Sequence, residues 1–373
     1  AAAIALCTLT LFAACSKDGN PNGIPDANPE QYNRSAKPGV IKILAIGNSF
    51  SEDAIESNLY ELAKEKGLKV IIGNMYIGGA SLATHKTNAT RNTPIYDYRK
   101  IGEDGVKKSF PKMSIELAVL DEDWDYISFQ QASPNSGQLE TVQADLPSVY
   151  NYVKSKAKNP NVKYAYHSTW AYATYSNYSA FANYNNNQTT MFNAITNVSQ
   201  KVESIAPVNL IIPAGTAIQN ARTSVLGESY NVGDGYHLNA LGKYIAACTW
   251  FEKIFGQSVV GNAYKAGFSD FEVLIAQNAA HLAVLKPNEV TSMATYEAQP
   301  IPLVNPVLVD FGNATPSPMW NQMNSFSVGS KINLKDDKNV FVGMSLTITE
   351  RFNAINTNGA INTNTPLNMP NNV

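Results

Sequence analysis

The sequence predicts an α/β protein with a parallel sheet. Three observations carry this reading. Five short apolar runs alternate with stretches of helical periodicity. The runs are apolar nearly throughout, as in strands covered on both faces. Turn-forming residues stand where the runs end.

The first strand is Val40 to Ile46. It runs through Gly47 and Asn48 to Ser49, where a helix is expected: Glu52 and Asp53 suit its positive end, apolar residues recur at Ile55, Leu59 and Leu62, and Gly67 follows Lys64 and Lys66 as a stop. A strand–turn–helix junction is where open α/β sheets bind ligands, so Ser49 is a candidate nucleophile. An ordinary βα turn with a capping serine needs the same residues. The second strand, Val70 to Ile77, leads into Gly78 and Gly79. Glycine there lets backbone N–H groups approach a substrate oxygen, although a plain turn would also use it.

A third strand, Asp125 to Phe129, runs into Gln130, Gln131, Ala132 and Ser133. An amide at a strand's carboxyl end can donate to a developing oxyanion, or simply hold the neighbouring loop. A helix at Leu139–Lys158, a strand at Val162–His167, a helix at Met191–Ile205 and a strand at Val208–Ile212 complete the alternation. The stretch Trp170 to Asn187 breaks it with one Trp, several Tyr and a run of Asn. Aromatic rings beside amides suit sugar rings, and they equally pack a long loop onto the body. His85 and His167 fall near the same edge, as pocket lining, as structural residues or, for His167, as an alternative base. Next come Asp234-Gly235-Tyr236-His237 and a helix over Asn239 to Phe255. Histidine is a natural general base, and a nearby carboxylate fixes its tautomer. His281, on an apolar helix from Phe271 to Leu285, reads as packing, and Cys248 as a core residue.

After Lys286-Pro287 the character changes. Residues 300–373 show proline-punctuated alternating segments at Val307–Phe311, Ser325–Val328 and Phe341–Thr349, the start of a small, incomplete β module.

Composition narrows the function classes. The 373 residues, 44% hydrophobic and 16% charged, suffice for a substantial core. A net charge of −2 without Lys/Arg clusters argues against nucleic acid, and neither phosphate-cradling glycine loop is present. Zinc spacings are absent, so no metal or other cofactor is expected.

Residues 1–15 form an apolar segment ending in Leu11-Phe12-Ala13-Ala14-Cys15, which resembles a bacterial lipoprotein signal cut before Cys15; its start reads as cut short, without Met or a basic region. Lipidation of Cys15 would tie the protein to the outer membrane, facing the periplasm or the cell surface. Lys17-Asp18 resembles the surface-export signals of Bacteroidetes-type lipoproteins. Residues 16–38, rich in Pro, Asn, Gly and Asp, have the composition of a flexible tether.

In order, Gly47-Asn48-Ser49-Phe50, Gly79 and Asp234-Gly235-Tyr236-His237 resemble the first, glycine and last blocks of the SGNH (GDSL-like) hydrolases, with Asn48 in place of the usual Asp. The resemblance spans Val40 to Phe255, so that 39–286 would be the hydrolase domain. It is to a bacterial subgroup lacking the usual Gly-x-Asn-Asp third block. It implies a three-layer α/β/α sandwich with a flavodoxin-like sheet and ester hydrolysis by a triad of Ser49, His237 and Asp234. The oxyanion donors would be the N–H groups of Ser49 and Gly79, with Gln130 in the missing asparagine's role and Gln131 or Ser133 as alternatives. Asn48, His85, Gln131, Ser133, His167 and Trp170 would line the pocket. The expected substrate is a small-molecule or polysaccharide ester, and within that class an acetylated carbohydrate. A glycan-binding lipoprotein that lost the chemistry, a lipase and a thioesterase are the alternatives.

Overall fold

A computed structural model describes residues 39–296, 305–311, 320–325 and 327–348. The expected signal, tether and Cys15, and part of the β module, lie outside the described residues. The elements in chain order are β1 (Val40–Gly47), α1 (Ser49–Ile55), α2 (Leu59–Glu65), β2 (Lys69–Tyr76), α3 (Leu82–Arg91), β3 (Tyr96–Ile101), β4 (Lys107–Met113), α4 (Ile115–Asp121) and β5 (Tyr126–Phe129). There follow α5 (Leu139–Lys156), β6 (Lys163–His167), α6 (Gln188–Ile205), β7 (Leu210–Ile212), α7 (Ala214–Arg222), α8 (Ala240–Phe255) and α9 (Asp270–Leu285). Four short strands close the described chain: β8 (Leu308–Asp310), β9 (Trp320–Gln322), β10 (Lys331–Lys335) and β11 (Phe341–Thr347).

All five strands expected from the apolar runs form one sheet, in the order β4-β3-β2-β1-β5-β6-β7. From β2 to β7 the pairing is parallel, in flavodoxin-like order. The sheet is nonetheless mixed: β3 pairs antiparallel with β2, and β4 with β3. No apolar run marks this hairpin. Its inner strand does alternate, with Tyr96 and Tyr98 buried and each followed by a half-buried residue, Asp97 and Arg99. Gly105 closes the turn at φ +76°, with the Tyr60 ring where a Cβ would stand. On the outer strand, β4, all but the last residue is exposed, and Pro111 is tolerated there because an edge strand need not donate outward.

Alternate residues of β1 feed two cores. Ile43 and Ala45 pack with α1, α2, α7, α8 and α9 on one face. Leu44 and Ile46 pack with α3, α4 and α5 on the other, and α6 contributes to both. Three layers result because a period of two sends an apolar run to both sides of the sheet. Cys248 is fully buried in the first core, where burial pushes its thiol up. His281 is more than packing: its Nδ1 lies 2.7 Å from Oε1 of buried Glu252, which also accepts from the Val259 N–H.

Two boundaries differ from expectation. The helix expected from Ser49 to Gly67 is broken into α1 and α2 at Glu56–Asn58. In the β module, Ser325–Val328 is no strand among its described residues; the strand lies at Lys331–Lys335 and pairs antiparallel with β11. Phe341 of β11 stacks on Phe271 of α9, so the described part of the module packs on the body.

Candidate active site

Ser49 is the first residue of α1, at the carboxyl end of β1. Asn48 caps the helix, its Oδ1 accepting from the Phe50 N–H at 2.9 Å. Gly47 is required before it, since a Cβ would stand 2.6 Å from Ser51 Oγ and 2.8 Å from Gln130 Cδ. Phe50 turns inward and stacks on Trp170 at 4.3 Å between centroids. Ser49 itself stays half-buried.

The loop before α8 brings up the second half. Gly235 adopts φ +75° in a turn closed by its N–H to the Val232 carbonyl. The Asp234 carboxylate then folds back on its own loop: Oδ1 accepts from the N–H groups of Tyr236 (2.9 Å) and His237 (3.0 Å), and Oδ2 lies 2.8 Å from His237 Nδ1. His237 Nε2 lies 2.9 Å from Ser49 Oγ, across 188 positions of chain. Burial works to raise the Asp234 carboxyl, but these N–H donors and the imidazole hold it below the ordinary carboxylate range. An ionised carboxylate only accepts, so it assigns the proton to Nδ1 of the neutral imidazole and leaves the Nε2 lone pair facing the serine hydroxyl.

The aromatic stretch after β6 holds this loop. Trp170 Nε1 donates to the Tyr236 carbonyl at 2.8 Å, Ser176 Oγ to the Asp234 carbonyl at 3.0 Å, and the Ala173 N–H to the Gly235 carbonyl at 2.7 Å. Buried Arg222 joins the two segments, donating to the Ala171 carbonyl and to Asn231 Oδ1, while Asn231 Nδ2 donates to the His237 carbonyl. Of the two readings of this stretch, packing accounts for the buried Trp170, Tyr172, Phe181 and Tyr184.

Gly79 takes φ +68° in a turn whose Ala80 N–H bonds the Ile77 carbonyl. Asn48 Nδ2 donates to the Ala80 carbonyl at 2.9 Å, fixing this turn against the start of α1. Gln130 is placed differently from the oxyanion role considered for it. Buried at the end of β5, its Nε2 donates to Asn48 Oδ1 at 2.7 Å and its Oε1 lies 3.0 Å from His167 Nδ1. Backbone groups set the sense of the chain: Ala80 offers only an acceptor and Phe50 only a donor, so Gln130 must donate to Asn48 and His167 must donate to Gln130. His167 therefore carries a proton on Nδ1, and burial, which pushes it down to about 3, favours the neutral imidazole.

The six residues expected to line the pocket are all under one-tenth exposed, which corrects that expectation. Asn48 and His167 belong to the chain just described. Gln131 accepts from the Leu82 and Ala132 N–H groups, and Ser133 Oγ accepts from the Tyr172 hydroxyl. His85 lies 2.8 Å from the Tyr96 hydroxyl between α3 and β3. Trp170 lies under Phe50. The open aromatic surface beside His237 belongs instead to half-buried Tyr236, at 4.3 Å between ring centroids, and to Tyr178 stacked on it at 4.8 Å.

Asp53 does more than suit a helix start. It is buried at 4% exposure, where its Oδ2 accepts from the Leu238 N–H at 2.8 Å and its Oδ1 meets Lys243 Nζ at 2.9 Å. Among the described residues, no group of three or more His, Cys, Asp or Glu gathers as a metal would need.

The model of a family described as a domain of unknown function, DUF4886, matches residues 42–283. The chain belongs to the DUF4886 family. A crystal structure of a DUF4886 family protein from Bacteroides uniformis is 47% identical, covering 68% of this chain and 98% of its own, with a TM-score of 0.67. A putative SGNH hydrolase from Slackia heliotrinireducens is 19% identical over 58% of this chain and 99% of its own, with a TM-score of 0.38. A variant of Axe2, an acetylxylan esterase from Geobacillus stearothermophilus, is 13% identical over 61% of this chain and 97% of its own, also at 0.38. At that superposition neither of the last two bears on what this DUF4886 chain does. No curated protein matches it.

Proposed function

We propose that the protein is a serine esterase of the SGNH type. The observation that supports it is the unbroken line from Asp234 Oδ2 through His237 Nδ1 and Nε2 to Ser49 Oγ at the carboxyl end of a parallel strand. In this reading Ser49 attacks an acyl carbonyl while Nε2 takes its proton. Asp234 steadies the imidazolium, and His237 returns the proton to the leaving alcohol. Water then attacks the acyl-serine with the same base. The N–H groups of Ser49 and Gly79 receive the oxyanion, each such donor supplying about 3 kcal/mol. Gln130 acts through Asn48 in this scheme.

The substrate class is an acetylated carbohydrate: Tyr178 and Tyr236 offer an aromatic face beside the imidazole for a sugar's C–H face. The protein works at the cell envelope, held by a lipid on Cys15.

Purified protein is expected to release acetate from 4-nitrophenyl acetate and from an acetylated sugar. Ser49→Ala should lower kcat by roughly 10⁴-fold or more with unchanged thermal stability. In the parent, activity should fall on acidification, because an imidazolium cannot accept the serine proton. Equal rates for parent and Ser49→Ala would refute the reading.

A further inference from the structure

The acid, base and nucleophile explain the chemistry without explaining what keeps them in register. Ser49 sits on α1 and His237 on a loop from a distant part of the chain. A 2.9 Å contact between such segments needs a cross-link close to both. Asp53 is on α1 one turn beyond Ser49, on the buried side of the helix. Its Oδ2 accepts from the N–H of Leu238, the residue immediately after His237. Its Oδ1 pairs with Lys243 on α8, the helix that the His237 loop enters. One buried carboxylate thus touches all three pieces: nucleophile helix, base loop and following helix.

We propose that Asp53 is a positioning residue, a clamp that locks α1 to the loop carrying His237 and so sets the approach of Nε2 to the Ser49 hydroxyl. This rests on the esterase reading. A buried charge is costly to keep, and here a backbone donor and an ammonium group offset that cost. Burial raises the Asp53 carboxyl, while the Leu238 N–H, Lys243 and, further off, His237 oppose the rise. The coupling to His237 is mutual, so the Asp53 charge also favours the imidazolium formed when Ser49 gives up its proton. The charged and titratable groups facing His237 are Asp234 and Tyr236 from its own loop, Asp53 from α1 and, through Asp53, Lys243 from α8.

Two variants separate alignment from charge. Asp53→Asn keeps an oxygen for the Leu238 N–H and removes the charge. Lys243→Met keeps Asp53 on Leu238 and removes the opposing charge. With 4-nitrophenyl acetate, both should hold KM within about two-fold while kcat falls, by up to about 10²-fold for Asp53→Asn, as misplacement of a base produces. The acid limb of the kcat profile should move to lower pH in Asp53→Asn and to higher pH in Lys243→Met; a merely structural residue would give no opposed pair of shifts.

His237 proton uptake, followed by NMR in both folded variants and assigned with His237→Gln, reads the same opposed shifts without turnover. If the parent lacks esterase activity, the esterase reading fails and NMR still decides the clamp. Parent-like kcat, or coincident titrations in parent and Asp53→Asn, would overturn the proposal.

Discussion

Gly235 carries the geometry of the Asp234–His237 pair in one backbone angle. At φ +75° it turns the loop so that one carboxylate meets two N–H groups and an imidazole, and a Cβ there would stand 2.7 Å from Ser176 Cβ. Gly235→Ala is expected to lose about 1–2 kcal/mol from the left-handed conformation alone, and more from displacing Ser176. Thermal denaturation checks this, and an unchanged midpoint would contradict it. The Asp234–His237 pair was legible because a carboxylate near a histidine suits a base and its orienting partner, and because the stretch resembles the last block of a family whose blocks come in this order. Asp53 was not. An acid near a helix start looks the same in sequence whether it faces solvent or accepts from a loop brought in from far along the chain. Gln130 was legible as a polar residue at a strand end, but its partners were hidden, because the direction of its amide is set by Phe50 and Ala80, two groups from other segments.

At the level of elements, the five parallel strands were readable because burial on both faces demands continuous apolar runs. The β3–β4 hairpin escaped because half of it faces water: Lys107, Lys108, Ser109 and Lys112 have the composition of a loop. Only the alternation of Tyr96 and Tyr98 marks it. Two buried histidines, one beside this hairpin and one across the sheet, also make a prediction about acid. Burial pushes His85, between α3 and β3, down to about 4, and His167, at the end of β6, to about 3, from an ordinary value of 6.5. Below that ordinary value the unfolded chain binds protons that the folded chain refuses. Their stabilising contribution is therefore complete above about pH 6.5 and is lost as pH falls toward about 4 and 3. Melting temperatures measured between neutral and mildly acid pH should drop less steeply in His85→Gln than in the parent. Parallel curves would show that His85 does not contribute.

Across the whole molecule, β1 is the axis of the design. It sits between β2 and β5, where the chain order reverses, the switch point at which open α/β sheets form their crevices. Its eight residues run from Val40, where the expected tether enters, to the nucleophile at the other end, about 25 Å away. An anchor on Cys15 would therefore attach at the edge of the sheet opposite the site. Cys15→Ser is expected to abolish palmitate labelling and release the protein from membranes with kcat on a soluble ester unchanged. Continued labelling would refute the anchor. The sequence reading of a three-layer body holds at this scale, since the resemblance behind it rests on blocks at the ends of β1, β2 and the loop before α8.

Asn48 spends both ends of its amide in a fixed sense, one on a carbonyl and the other on two N–H groups. The Asp found in the first block it resembles would set oxygen against oxygen at Ala80, and a glutamate at 130 would do the same at Asn48. Neither position is free to drift alone. Asn48 is held to its amide by the Ala80 carbonyl, and Gln130 to its own by the oxygen of Asn48.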